Sequence, residues 1–121
     1  MVHTIEEKIP NGENEEGMWR EVVDHPGAYS EFTSTAIIAT SMQRGIRRGR
    51  LDRATYQPIV DKAWQAIFMR IGPDGQFIDV CESTNKQPSL KDYLNRAAIL
   101  GRDPRGGGMA LIFATEMAGL Q

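Results

Sequence analysis

Two stretches of this chain, residues 32–48 and 108–120, carry small and aliphatic side chains around most of a helical circumference, and 121 residues hold little else that could cover them. A helix of that kind is built for an enclosed position, since a surface helix keeps one polar face. The first has Ser30 with Thr33, or Thr33 itself, to cap its leading amides. Arg44, Arg47 and Arg48 gather at its far end, where the helix dipole favours cations, and Gly49 is its stop. The second runs Met109, Ala110, Leu111, Ile112, Phe113 and Ala114 in unbroken succession, with Met117 and Ala118 behind them.

Between the two, residues 55–71 read as a one-faced helix. Val60, Ala63, Trp64, Ile67, Phe68 and Ile71 recur at three-and-four spacing, opposite Asp61, Lys62, Gln65 and Arg70. Thr55 suits the N-cap, which leaves Pro58 in the first turn, where a missing amide hydrogen costs little. The short link Arg50-Leu-Asp-Arg makes the first two helices antiparallel neighbours. Gly72-Pro-Asp-Gly-Gln predicts a turn leading into a strand at 77–81, and residues 90–100 predict a turn or two of helix. Residues 18–23 read as a short strand closed by Asp24-His-Pro-Gly. Residues 1–17 hold five glutamates against one lysine, so they are expected to be a solvated lead-in to a packed unit of residues 18–121.

The order is therefore enclosed helix, one-faced helix, turn and strand, loop, enclosed helix. Concentric rings of antiparallel helix hairpins produce this alternation, with the enclosed helices inside. Three helices cannot enclose one another, and at roughly 25 cal/mol per Å² their bare apolar faces would be a serious burden. Either further chain or a partner is expected to cover them.

With 40% apolar and 25% charged residues the composition is that of an ordinary globular domain, and a net charge of −2 gives no general pull on polyanions. The one basic cluster, Arg44, Arg47, Arg48, Arg50 and Arg53, has no interleaved aromatic for base stacking, so no nucleic-acid partner is expected. The single cysteine, Cys81, with His3 and His25 far from it, forms no metal-ligand pattern, and neither a metal nor a cofactor is expected. Neither a secretion signal nor a bilayer-spanning run is visible, which predicts a cytoplasmic protein with no membrane partner.

An ordered set of short segments carries a resemblance. These are Glu16-Gly-Met-Trp-Arg-Glu-Val-Val-Asp-His-Pro, Glu31-Phe-Thr-Ser-Thr-Ala, Arg44-Gly-Ile-Arg-Arg-Gly-Arg-Leu-Asp, Tyr56-Gln-Pro, Lys62-Ala-Trp, Asp74-Gly-Gln-Phe-Ile-Asp-Val-Cys and Arg102-Asp-Pro-Arg-Gly-Gly-Gly-Met-Ala-Leu. Together they resemble the unsaturated glucuronyl and rhamnogalacturonyl hydrolases of glycoside hydrolase families 88 and 105. The resemblance implies a mainly α fold, part of an (α/α)6 six-hairpin toroid with its active cleft at one rim. It also implies a reaction on the unsaturated uronic sugars left by polysaccharide lyases, in which an aspartate protonates the enol-ether double bond and activates water. The family's aspartates lie mainly upstream of the part resembled here. The chain therefore reads as a C-terminal segment with no catalytic residue of its own, inactive alone, from an enzyme that takes an unsaturated uronic-acid oligosaccharide. The alternative from a different class is a self-associating helical binding or assembly module, a homo-oligomer through its apolar helix faces.

Candidate substrate-binding residues follow from residue type and position. Glu31, Thr33 and Ser34 stand at the start of an enclosed helix, where they can hydrogen-bond sugar hydroxyls or simply cap the helix. Trp19 can stack on a sugar ring or fill the core. Arg102, Arg105 and Gly107 precede the last helix, where guanidinium groups and open amides suit a carboxylate, while the glycines equally suit close packing. Asp74 and Asp79 are expected to be solvated turn and strand residues, and Cys81 a small buried hydrophobe.

Overall fold

In the computed structural model, residues 13–81, 87–95, 97–101 and 104–119 are described. Four helices and one two-stranded sheet follow one another along the chain. They are α1 (Phe32–Arg47), α2 (Arg53–Met69), β1 (Phe77–Cys81), α3 (Leu90–Leu94), β2 (Ala98–Gly101) and α4 (Pro104–Met117). The architecture is mainly α, as the hydrophobic patterning predicts.

Helix α1 is central and packs on α2, α4 and β1. It buries Phe32, Thr35, Ala36, Ala39, Met42 and Ile46, and the alanines let neighbouring backbones come close. On α2 the buried stripe is Val60, Ala63, Ala66 and Ile67. From α4 the Phe113 ring meets the Trp64 ring edge to face at 5.2 Å, and Phe32 meets Phe77 in the same manner at 5.4 Å. Met18 and Trp19, from the segment before α1, complete this core.

Several local expectations are corrected. The N-cap of α1 is Glu31, whose carboxylate accepts from the Ser34 amide. The N-cap of α2 is Asp52 and not Thr55. Asp52 accepts from both the amide and the hydroxyl of Thr55, and these bonds hold its carboxyl below its usual range. Starting α2 two residues early puts Pro58 inside the helix, beyond the first turn. The strand expected at 18–23 is reduced to a single antiparallel bridge, Arg20 to Ser30, and residues 90–100 divide into α3 and β2. Helix α4 begins at Pro104, so Gly106, Gly107 and Gly108 lie within it.

Strands β1 and β2 are antiparallel with an irregularity between Phe77 and Val80, where Asp79 takes φ +65°. Asp79 is not a free solvated carboxylate, since Arg70 Nε donates to it at 3.1 Å. The same guanidinium reaches Glu16 at 2.9 Å through Nη2 and the Ala66 carbonyl through Nη1. Arg70 therefore belongs to a clasp and not to a wet helix face.

The helices do not shelter one another. Phe68 is 67% exposed, Met69 81% and Leu111 69%, and Ile37 and Ile112 are also open. Phe68, expected in the α2 stripe, falls at its margin, with its ring 6.4 Å from that of Trp64. Bare flanks on three helices are what part of a larger ring shows. Among the described residues no helix is long and apolar enough to cross a membrane.

Glu13, in the lead segment, gives a pH prediction. Burial pushes its carboxyl from an ordinary 4.5 up to about 7, while the charge of Lys62 works in the opposite direction. Between those two values the folded chain holds a proton that the unfolded chain has released. The contribution of Glu13 to stability is therefore full below pH 4.5 and is lost as pH rises through about 7. Solvent screening at a half-buried group keeps the loss to about 1 kcal/mol. Denaturant unfolding at both ends of this window measures it, and Glu13→Gln removes the slope.

Candidate functional site

A cleft of about 460 Å³ opens at the N-terminus of α1 and is lined by Glu21, Glu31, Thr33, Ser34, Ile37, Cys81 and Arg105. Four separate parts of the chain build it: the loop before α1, the first turns of α1, the end of β1 and the first turn of α4. Its organising group is the Glu31 carboxylate, only 4% exposed. One oxygen accepts from the Cys81 amide at 3.2 Å and from the Thr33 hydroxyl. The other accepts from the Ser34 amide at 2.9 Å and from the Ser34 hydroxyl at 3.3 Å. A helix cap has thus been extended into a tie between α1 and β1.

The backbone around Glu31 is equally fixed. Its amide donates to the Trp19 carbonyl at 2.9 Å, and its carbonyl accepts from the Thr35 hydroxyl at 2.7 Å. That hydroxyl accepts in turn from the Trp19 amide at 3.0 Å. With every polar group of Glu31 engaged, a residue of this burial is satisfied and not strained. Beside it, Tyr29 has its hydroxyl pushed above the ordinary phenol range. Burial is the main cause, followed by the neighbouring Cys81 thiol and the Glu21 and Glu31 carboxylates. This end of the cleft is rich in acceptors, and Arg105 supplies a cation to its lining. Such an arrangement can hydrogen-bond a hydroxyl-rich ligand along one edge and pair with an anionic group at another.

The structure brings together Glu31, Thr33, Ser34 and Arg105. Trp19 is not among them, because it is fully enclosed in the core and its ring cannot reach a ligand in the cleft. Gly107 lies within α4 against the Phe77 ring. At its neighbour Gly106 an added Cβ would stand 3.0 Å from Val80 Cγ2. Close packing of α4 on β1 accounts for Gly106, whereas an added Cβ at Gly108 would meet nothing within 4 Å. Arg102 lies outside the described residues, as do residues 1–12 of the acidic lead-in. Glu21, Ile37 and Cys81 line the cleft without having been singled out as binding residues. Glu21 sits two positions beyond Trp19, and nothing local in the sequence says that its loop folds over α1. No group of three metal-ligating side chains is assembled among the described residues.

The family model described as Glycosyl Hydrolase Family 88 matches residues 3–121. The chain belongs to glycosyl hydrolase family 88. A possible member of the GH105 family from Salmonella enterica serovar Paratyphi A superposes on this family 88 chain with a TM-score of 0.84 at 26% identity. The match covers 92% of this chain and 29% of that one. A family 88 glycosyl hydrolase from Bacteroides vulgatus gives 0.70 at 26% identity, over 93% of this chain and 32% of its own. A possible GH105 member from Klebsiella pneumoniae gives 0.83 at 24% identity, over 91% and 28%, and shows the shared fold. A search of the curated proteins gives no significant match. The family 88 chain thus spans about three tenths of the length of these solved structures and makes up part of the helical toroid that its patterning suggests.

Proposed function

We propose that this chain forms one wall of the sugar cleft of an unsaturated uronyl hydrolase, an enzyme acting on polysaccharide-lyase products by hydration of the double bond. Thr33 and Ser34 hydrogen-bond the sugar, Arg105 pairs with its carboxylate, and Glu31 fixes the wall. The catalytic aspartates belong to a part of the toroid outside this chain. The observation that carries the reading is the convergence of Glu31, Thr33, Ser34 and Arg105 on one cleft in a family 88 chain.

The test uses the chain itself with an unsaturated glucuronyl disaccharide. Binding followed by titration calorimetry or by amide shifts is expected, and Arg105→Ala weakens it roughly tenfold, the worth of a charge-assisted bond. The ultraviolet absorbance of the double bond is expected to persist. Turnover by the chain alone would overturn the assignment of the aspartates to another part, and absence of binding would overturn the cleft assignment.

The bare side chains Phe68, Met69 and Leu111 favour a second reading, in which the chain covers them by pairing with itself as an assembly module. Sedimentation separates the two. A concentration-dependent dimer that does not bind the disaccharide supports self-association, and a monomer that does bind supports the hydrolase wall.

A further inference from the structure

Thr33 and Ser34 each carry one hydroxyl hydrogen, and each has an acceptor of Glu31 within reach. The Thr33 hydroxyl donates to one Glu31 carboxylate oxygen. The Ser34 hydroxyl has two acceptors within reach, the other carboxylate oxygen at 3.3 Å and the backbone carbonyl at 3.5 Å, and both belong to Glu31. A hydroxyl that has given away its hydrogen keeps only lone pairs for anything else. We propose that Glu31 is a positioning residue that turns Thr33 and Ser34 into pure acceptors, so that this edge of the cleft selects ligand hydroxyl donors and repels carboxylates.

The inference rests on the hydrolase-wall reading and adds an orientation to it. A uronic sugar has a hydroxylated edge and a carboxylate edge. An acceptor-only rim with the Glu21 carboxylate nearby gives a carboxylate no hydrogen to bind, so the sugar's hydroxyl edge faces Thr33 and Ser34. The carboxylate edge then turns to Arg105, the cation in the cleft lining. Glu31 itself lies too deep and too fully bonded to touch the sugar. It acts through the two hydroxyls it holds.

Replacing Glu31 by glutamine gives the inference a specific signature. The carboxylate has two oxygens, each serving a backbone amide, and the glutamine has one, so whichever way the new amide turns its NH2 group is set against the Ser34 or the Cys81 amide. The hydroxyl on that side, Ser34 or Thr33, loses its carboxylate acceptor at the same time and turns its hydrogen toward the cleft. One position on the rim has changed from acceptor to donor.

The experiment compares two probes on the chain: the unsaturated glucuronyl disaccharide, and the same disaccharide with every free hydroxyl O-methylated and its carboxylate intact. The native chain is expected to bind the first at least fivefold more tightly than the second. Thr33→Val, close to isosteric, lowers that preference by a factor of about three or more, and Glu31→Gln removes or inverts it. Far-ultraviolet circular dichroism and melting show whether Glu31→Gln is folded, and the Thr33→Val and methylation comparisons stand without it. Arg105-dependent binding with equal affinity for the two probes overturns this inference and leaves the hydrolase-wall reading standing. Failure of both probes to bind overturns both.

Discussion

Replacing Glu116 by alanine is expected to cost the chain about 3 kcal/mol of folding stability, at the lower end of the range for breaking a buried ion pair. The Glu116 side chain is fully enclosed and lies 3.2 Å from Arg44 Nη2 and 3.1 Å from Arg47 Nη2. Removing it takes away the acid that the two guanidinium groups share. Their side chains are 36% and 29% exposed, so water relieves part of the cost. Urea unfolding measures the effect. A double-mutant cycle with Arg47→Ala identifies its origin, because the pair couples by 1 kcal/mol or more if the ion pair carries the loss. Additive losses would show that Glu116 acts by filling space.

Gly17→Ala is the second large effect, about 2–4 kcal/mol destabilising. Gly17 has φ +87°, and a Cβ there would stand 2.6 Å from Lys62 Cγ and 2.8 Å from the Lys62 carbonyl oxygen. The lysine stem can swing away, but the α2 backbone cannot. Gly49 supplies the control. It also has positive φ, at +73°, yet nothing stands within 4 Å of its Cβ position. Gly49→Ala therefore costs only the conformational part, about 1 kcal/mol. Thermal unfolding of the two variants side by side separates strain from collision. Equal losses would mean that the lead segment does not lie on α2 as described.

Much of the fold was legible because the signals that carry it are local. Apolar residues around the whole of α1 and α4, and the three-and-four spacing on α2, follow from helical periodicity alone. The errors came where a distant part of the chain decides. Capping is one of the two readings the sequence offers for Glu31, and it does cap α1 in place of Ser30 or Thr33. What stays hidden is that its carboxylate also serves the amide of Cys81, fifty residues on. The sequence places the three glycines at the entry to α4, with close packing as one reason for them. The helix already starts at Pro104, and the close approach is at Gly106, against Val80. The end of α1 suits Arg44 and Arg47 through its dipole, and both also pair with an acid 72 positions from Arg44. At the cleft the pattern is the same. Glu31, Thr33 and Ser34 could be nominated from their place at a helix start, whereas Glu21, Ile37 and Cys81 arrive there only through tertiary packing.

The grip of Arg70 on Glu16 and Asp79 has a consequence for motion. One side chain ties the segment ahead of α1 to strand β1, so the two share an anchor at Arg70. Replacing Arg70 by alanine is expected to speed deuterium uptake in both. A disturbance at Glu16 then reaches β1, the strand that carries Cys81 to the mouth of the cleft.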